Sequence, residues 1–202
     1  MKAINSLSQL DLATGVYSYA DYLTWQFDQA VELIKGHIFP MSAPSRRHQR
    51  ISWQLTLLIG NHFRHQPCQA FAAPFDVRLT DKRKSEKANR EILTVVQPDI
   101  CIICDETKLD DKGCLGAPDL VVEILSPGNS AKEMKIKKAL YEENGVREYW
   151  IIDPEHTIAF QFHLTEADQY GPVTIYVIDD TLTSAIFPDL AIPLSEVFLE
   201  AL

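Results

Sequence analysis

The chain has 202 residues, 46% of them hydrophobic and 23% charged, which predicts one globular domain with a sizeable core. Its formal net charge is -9, so the chain lacks the overall basic footprint usual in nucleic-acid-binding proteins. No apolar run approaches the roughly 20 residues that a transmembrane helix needs, and the first residues lack the basic and apolar regions of a signal peptide. Four cysteines are too few for a disulfide framework, so we expect a protein of the reducing cytoplasm without membrane contact.

The N-terminal part of the chain divides into an arm and the start of the domain. Residues 1–17 mix polar and apolar side chains irregularly and are predicted to form a loosely packed arm. A single domain is predicted over residues 18–202. It begins with a helix over residues 18–29, where aromatic side chains form a broad apolar side.

Residues 30–41 predict a β-hairpin that turns at Lys35 and Gly36. On its first strand, Glu32 points away from Val31 and Leu33. The sequence leaves two interpretations of Glu32 open: a solvated strand carboxylate, or a member of a polar site.

A long helix is predicted over residues 46–65, with Ser45 as its N-cap. Its buried stripe is formed by Ile51, Leu55, Leu58 and Ile59. Its first turn contains the cations Arg46, Arg47 and Arg50, together with His48. Cations oppose the helix dipole at this end, so the cluster indicates either contact with phosphate or simple solvation.

Residues 68–79 predict a strand, in which Pro74 indicates an edge or a bulge. Residues 81–90 form the most charged segment and are predicted to be an exposed loop. The cations of this loop either attract DNA or are merely solvated: Lys82, Arg83, Lys84, Lys87 and Arg90.

Two apolar runs, within residues 91–105 and 119–125, each contain a carboxylate: Asp99 opens the first run and Glu123 lies inside the second. Runs this apolar predict strands buried on both faces. A buried carboxylate is costly unless it is paired, hydrogen-bonded or bound to a metal. Two of them on adjacent strands would repel each other, which predicts a bound divalent cation.

Cys101 and Cys104 form a CxxC in the first of these strands. Residues three apart in a strand point to opposite faces. Cys114 lies in a predicted loop over residues 106–117, and Cys68 is remote in sequence. We therefore expect no structural zinc site.

The helix that follows is predicted to start at a capping box and to end at Gly145. Glu133, Lys137 and Tyr141 recur every four residues on one face. Lys137 lies beside the apolar line of this helix, so its ammonium can reach into a partly buried site while its stem packs. Beyond it, the sequence predicts a strand, a terminal hairpin and a short closing helix, over residues 148–152, 156–178 and 188–202.

These features together resemble the PD-(D/E)XK nuclease superfamily, and in particular its restriction-endonuclease-like family of uncharacterised proteins abundant in cyanobacteria. The resemblance covers roughly residues 22–154. It rests on the ordered segments VELIKGHIFPMSAPSRRHQRI, VVQPDI, DLVVEILSP and NGVREYWIIDP. One departure from the superfamily pattern is Leu125, which stands where a lysine is usual.

The resemblance implies an α/β restriction-endonuclease-like fold, with a mixed central sheet flanked by helices, and metal-dependent hydrolysis of DNA. Asp99 and Glu123 would bind the metal, Glu32 would join the acidic site, and Lys137 would supply the lysine from the following helix. His48 and Tyr141 would support them. The DNA contacts would come from Arg46, Arg47, Arg50 and the loop cations. A homodimer is compatible with cutting DNA, although no residue indicates one.

Two alternatives remain. A nuclease fold that binds nucleic acid or protein without cutting is favoured by Leu125 and by the net charge. A glycosidase with paired carboxylates would need exposed aromatic residues near its acids, whereas Trp53 and Trp150 are predicted to lie in the core. We therefore consider the glycosidase the weaker alternative.

Overall fold

The structure is a computed structural model that describes residues 4–80, 92–126 and 131–199, except the side chains of residues 131–133. The basic loop with Lys82, Arg83, Lys84 and Lys87 lies outside the described residues. The capping box predicted for the third helix does too.

The described helices are α1 Tyr19–Tyr22, α2 Arg46–Phe63, α3 Ala131–Asn144 and α4 Leu194–Val197, with short 3-10 turns at Leu7–Gln9 and Glu106–Lys108. The strands are β1 Val31–Ile34, β2 His37–Pro40, β3 Gln69–Ala72, β4 Val77–Leu79, β5 Thr94–Val96, β6 Ile100–Ile103, β7 Leu109–Asp110, β8 Gly113–Leu115, β9 Leu120–Ile124, β10 Glu148–Asp153, β11 Ile158–His163, β12 Thr174–Val177, β13 Thr181–Thr183 and β14 Ala191–Pro193.

The strands form two mixed six-stranded sheets and one small two-stranded sheet, β13-β14. We call the first six-stranded sheet the hairpin sheet, because it contains the β1–β2 hairpin; its order is β2-β1-β5-β4-β8-β7. We call the second the central sheet; its order is β12-β11-β10-β9-β6-β3. Within the central sheet, β9 and β10 run parallel, while β6 runs antiparallel to β9. The α/β class predicted from the sequence is confirmed.

The central sheet is buried on both faces. One face packs against the stripe of α2 formed by Ile51, Leu55 and Ile59, and against the C-terminal elements. The opposite face packs against α3 and the hairpin sheet, with Tyr141 and Tyr149 at its centre. The continuous apolar character of β6 and β9 follows from this double burial.

Local signals in the sequence placed several elements correctly. The hairpin turns at Lys35 and Gly36, both with positive φ. Ser45 caps α2 by accepting a hydrogen bond from the His48 N–H. Gly145 follows α3 with a φ of 81°, which is the left-handed conformation that ends many helices. The predicted terminal hairpin is formed by β11 and β12.

The first predicted helix is much shorter than expected. It spans only Tyr19–Tyr22, capped by Ser18. Beyond it, the Gln26 N–H donates to the Ile4 carbonyl instead of to a carbonyl within the helix. The aromatic residues of this region form a cluster in which Tyr22, Trp25 and Phe27 stack or tilt against one another.

Two predicted strands are each divided between the two sheets. The chain leaves the central sheet after β3 and enters the hairpin sheet at β4, turning at Ala73 and Pro74. It returns between β5 and β6, where Pro98 lies. Proline has no N–H to continue a ladder, so each predicted run breaks there. The predicted loop over residues 106–117 also contains strands, β7 and β8.

The expectation about the cysteines needs correction. Cys68 and Cys104 form a disulfide, because the antiparallel register of β3 and β6 continues past Gln69 and Ile103 and brings the two residues side by side. Cys101 and Cys114 are free and buried. No described helix is long and apolar enough to cross a membrane. A cytoplasmic location stays a prediction.

Candidate functional site

The site lies where the chain crosses between the two sheets. Asp99 precedes β6, and the register that pairs Ile100 with Val122 places it opposite Glu123 of β9. Residues directly opposite in an antiparallel pair point to the same face. The Asp99 carboxylate also accepts a hydrogen bond from the Ile124 N–H at 2.8 Å. The two carboxylates that stand out in the sequence are therefore neighbours at one end of the paired strands β6 and β9.

The Glu123 carboxyl is buried and has a raised pKa. Its Oε1 accepts hydrogen bonds from Lys137 Nζ at 2.9 Å and from the Tyr141 hydroxyl at 2.5 Å. Burial raises its pKa to about 7, and the negative charges of Glu32 and Asp99 act in the same direction against the opposing effect of Lys137. The Glu123 carboxyl is thus held between two donors and two like charges.

Glu32 reaches the same place from the hairpin sheet. It is only 4% exposed, so its interpretation as a solvated carboxylate is wrong. Its Oε1 accepts a hydrogen bond from Lys137 Nζ at 3.1 Å and another from the Gln97 N–H at 3.0 Å. Strand β1 therefore contributes a third carboxylate to the junction.

Lys137 joins the two glutamates from α3. Burial would lower the pKa of its ammonium, but the charges of Glu123 and Glu32 outweigh burial and raise that pKa. Tyr141, one turn further along, is fully buried, and burial together with the Glu123 charge holds its pKa well above its usual range. The site thus contains a charged lysine and a neutral tyrosine that both donate to Glu123.

His48 approaches Asp99 from the other side of the central sheet. Its Nε2 lies 3.3 Å from Asp99 Oδ1, and its buried Nδ1 has no hydrogen-bond partner among the described residues. Burial lowers the pKa of this imidazole, but the hydrogen bond to Asp99 and the Asp99 charge outweigh burial, so the net shift is upward. Together with the Ile124 N–H, His48 fixes the orientation of the Asp99 carboxylate.

The arginines of the first turn of α2 do not gather at the acids. Arg46 and Arg50 are exposed, and each is two residues from the buried His48, which corresponds to about 200° around a helix. Arg47 is half-buried, and its Nε has no hydrogen-bond partner in the part of the chain that the structure describes. Trp53 was predicted in the core, but it is 63% exposed on the outward face of α2. Trp150 is buried as predicted.

Gln97 is a site residue that the sequence interpretation missed. Its side-chain amide donates to Asp76 at 2.8 Å and to the Tyr22 hydroxyl at 3.3 Å, while its backbone N–H holds Glu32. Asp76 also accepts a hydrogen bond from Tyr19. The only available signal was a polar residue directly before Pro98 in an otherwise apolar run.

The donor set fits a magnesium ion bound jointly with a substrate phosphate. The described residues contain no group of three or more His, Cys, Asp or Glu arranged to hold a metal ion. However, Asp99 and Glu123 offer hard carboxylate oxygens, and Glu123 Oε2 accepts no hydrogen bond from the residues that the structure describes. Mg²⁺ is commonly bound by one or two carboxylates plus waters and phosphate oxygens, so this pair suits such an ion better than a closed protein cage would.

The fold and the cluster of acids with a lysine define a protein of the restriction-endonuclease-like class. A family model agrees: residues 19–195 match Uma2, described as "Putative restriction endonuclease". The chain belongs to this family, which confirms the resemblance seen in the sequence.

Similar proteins support the same placement. A crystal structure of a nuclease-like protein from Anabaena variabilis ATCC 29413, titled a "putative nuclease belonging to DUF820", matches with a TM-score of 0.72 and 19% identity, over 92% of this chain and 99% of that one. Two uncharacterised proteins of Synechocystis sp. are 23% and 24% identical; the alignments cover 80% and 69% of this chain and 81% and 76% of theirs. The structural likeness shows the fold.

Proposed function

We propose that this protein is a metal-dependent endonuclease that hydrolyses DNA phosphodiester bonds. The observation that carries the proposal is the position of Lys137 Nζ, 2.9 Å from Glu123 and 3.1 Å from Glu32, at the edge where Asp99 faces Glu123. Hydrolysis of a phosphodiester needs a centre that neutralises developing negative charge and positions water. Carboxylates with an adjacent, partly buried ammonium meet that need.

Each side chain has a distinct role in this proposal. Asp99 and Glu123 would hold Mg²⁺ or Mn²⁺, which when bound lowers the pKa of a water molecule and offsets charge on the phosphate oxygens. Lys137 would orient the attacking water or stabilise the charged transition state. Tyr141 and His48 would hold Glu123 and Asp99 in place. Glu32 would fix Lys137 in the site.

A nicking assay on supercoiled DNA tests the proposal. In the presence of Mg²⁺ or Mn²⁺ we expect wild-type protein to nick the plasmid, and Asp99→Asn, Glu123→Gln and Lys137→Ala to abolish nicking. Lys135→Ala is the matched control, because Lys135 lies on the same helix but is exposed. Equal activity in the Lys135 and Lys137 variants would show that Lys137 is not part of the reaction.

A nuclease fold that binds but does not cut remains the second candidate. It is favoured because the acids already have partners within the protein: both glutamates accept hydrogen bonds from Lys137, and Asp99 is paired with His48. Each of the three carboxylates therefore has a described partner without a metal. Isothermal titration with Mg²⁺ in the absence of DNA, alongside the nicking assay, separates the candidates. If the protein is a binding module, we expect no nicking, and we expect Asp99→Asn to leave Mg²⁺ binding unchanged.

A further inference from the structure

The outward face of α2 differs in charge from the rest of the molecule. Residues 33–75 contain no aspartate or glutamate, although the whole chain has 28 acidic residues and a net charge of -9. Five exposed residues of α2 and its C-cap recur at helical spacing and, together with the half-buried Gly60, form one stripe. We call it the outer stripe: Arg46, Arg50, Trp53, Leu57, Gly60 and Arg64.

The outer stripe is chemically mixed in a specific way. Its three arginines are exposed, and between them lie Trp53, 63% exposed, and Leu57, 42% exposed. Arginine matches the geometry of phosphate groups, and an exposed indole offers a flat face on which a base can stack. Cations alternating with an aromatic ring are typical of surfaces that follow a nucleic acid strand.

Gly60 adds an independent observation. A glycine in the interior of a helix costs about 1 kcal/mol relative to alanine. No described atom lies within 4 Å of the position that a Cβ at Gly60 would occupy, so packing within the described protein does not require a glycine. Its absent side chain leaves a shallow gap in the stripe, between Leu57 and Arg64, where a ligand can approach the helix backbone.

The stripe faces away from the acids. The opposite face of α2 carries His48, which contacts Asp99, and the buried residues Ile51 and Leu55. A strand lying on the stripe is therefore not the segment at the carboxylates. The helix is about 27 Å long from Arg46 to Arg64 at 1.5 Å per residue, which matches roughly eight nucleotides at the rise of one DNA strand.

We propose that the outer stripe of α2 binds single-stranded nucleic acid, with the arginines on phosphates and an unpaired base stacked on Trp53. Charge complementarity selects a polyanion, and the exposed indole selects unpaired bases, because the bases of a duplex are already stacked. Binding at the stripe does not require the carboxylates to cleave DNA, so it stands apart from the proposed function.

Fluorescence anisotropy tests the proposal with an oligothymidylate of about ten nucleotides and a duplex of equal length, in chelator and low salt. Trp53→Ala should weaken binding of the single strand about tenfold, which is the usual effect of losing one stacked base, and should leave the duplex unaffected. Trp53→Phe should restore part of the loss. The oligonucleotide should also quench the fluorescence of wild type but not that of Trp53→Phe.

The arginines are tested by salt dependence. Arg50→Gln with Arg64→Gln should reduce the slope of log affinity against log salt by roughly 1.4, since each phosphate contact to a single strand contributes about 0.7. Arg147→Gln is the matched control, because Arg147 is exposed and paired with Asp119 outside the stripe. Gly60→Ala should raise the melting temperature and still weaken binding.

The outcomes separate the two proposals. Asp99→Asn with Glu123→Gln should retain single-strand binding, whether or not the wild type cuts DNA. The stripe proposal is overturned if Trp53→Ala and the double arginine variant bind the oligonucleotide as wild type does. It is also overturned if these variants change only the oligomeric state, since the stripe would then be a protein interface.

Discussion

At the scale of single residues, the candidate site is organised by Lys137. This lysine accounts for the presence of two glutamates in a buried place, because it donates to both of them. Removing one partner of a buried ion pair leaves an uncompensated charge, which is more costly than the pair itself is favourable. The contacts of Lys137 can therefore be tested through stability, without reference to activity.

Lys137→Met should destabilise the metal-free protein by about 3 kcal/mol at pH 8, because Glu123 and Glu32 lose their shared cation while the stem volume is kept. The loss should shrink at lower pH. The folded-state pKa of Glu123 is raised from 4.5 to about 7, so this carboxyl contributes most stability below pH 4.5 and loses it as the pH rises through 7. Removing Lys137 should raise the folded-state pKa of Glu123 further and so extend that fall to higher pH. Urea unfolding in the presence of a chelator from pH 5 to 8 measures this pH dependence of stability, with Lys135→Met as the control.

Gln97→Ala should destabilise the protein by about 1–2 kcal/mol, since Asp76 and Tyr22 lose a partly buried hydrogen-bond donor. Gln69→Ala is the matched control. It removes the same side chain from an exposed hydrogen bond to Glu106, and should cost less than about 0.5 kcal/mol. Urea midpoints of the two variants provide the comparison. Equal midpoints would mean that the Gln97 side chain does not hold Asp76 and Tyr22 in place.

At the scale of elements, α2 has two faces with different tasks. Its inner face completes the core through Ile51, Leu55 and Ile59, and brings His48 to Asp99. Its outer face is basic and aromatic. The stability of such a helix comes chiefly from the buried face, so the outer face is free to carry residues that the fold does not need.

Gly60→Ala should stabilise the protein by about 0.5–1 kcal/mol, because alanine favours the helix and its methyl group meets no described atom within 4 Å. Gly36→Ala should have the opposite effect. Gly36 has a φ of 85°, and a Cβ there would lie 2.6 Å from Val16 Cγ1. Thermal melting of both variants checks the contrast; destabilisation by Gly60→Ala would indicate that something within the protein covers the gap.

At the scale of the whole molecule, a third buried glutamate ties the C-terminal segment to the central sheet. Glu148 is fully buried. Its oxygens accept from Trp150 Nε1, Gln161 Nε2 and the Ser184 hydroxyl, and from the N–H groups of Ala185 and Ile186. Every contact is a donor, so the charge is satisfied by hydrogen bonds without a described cation. This cluster is structural and lies apart from the candidate site.

Glu148→Gln should destabilise the protein by about 2–4 kcal/mol, because the amide replaces an accepting oxygen with a donor that faces other donors. Glu155→Gln changes the same charge at an exposed position and should stay within about 0.5 kcal/mol of wild type. Chemical denaturation followed by tryptophan fluorescence gives both values. Similar values for the two variants would show that the Glu148 cluster does not hold the C-terminal segment.

The sequence by itself determined the family, the α/β class, the long helices, and which two strand carboxylates needed an explanation. These features depend on local signals: Ser45 as a cap, Gly145 as a stop, and Asp99 and Glu123 within apolar runs. Helical spacing also singled out Lys137. Such signals are readable because propensity, capping and periodicity act over a few residues.

Only the tertiary structure decided how these parts meet. Two predicted strands divide between two sheets at Pro74 and Pro98, and periodicity carries no information on which sheet a strand joins. The burial of Glu32, the role of Gln97 as its anchor and the outward face of Trp53 all depend on contacts between residues distant in sequence. Whether a polar side chain is buried with partners or solvated is set by its neighbours in space, so one strand's pattern could not decide it.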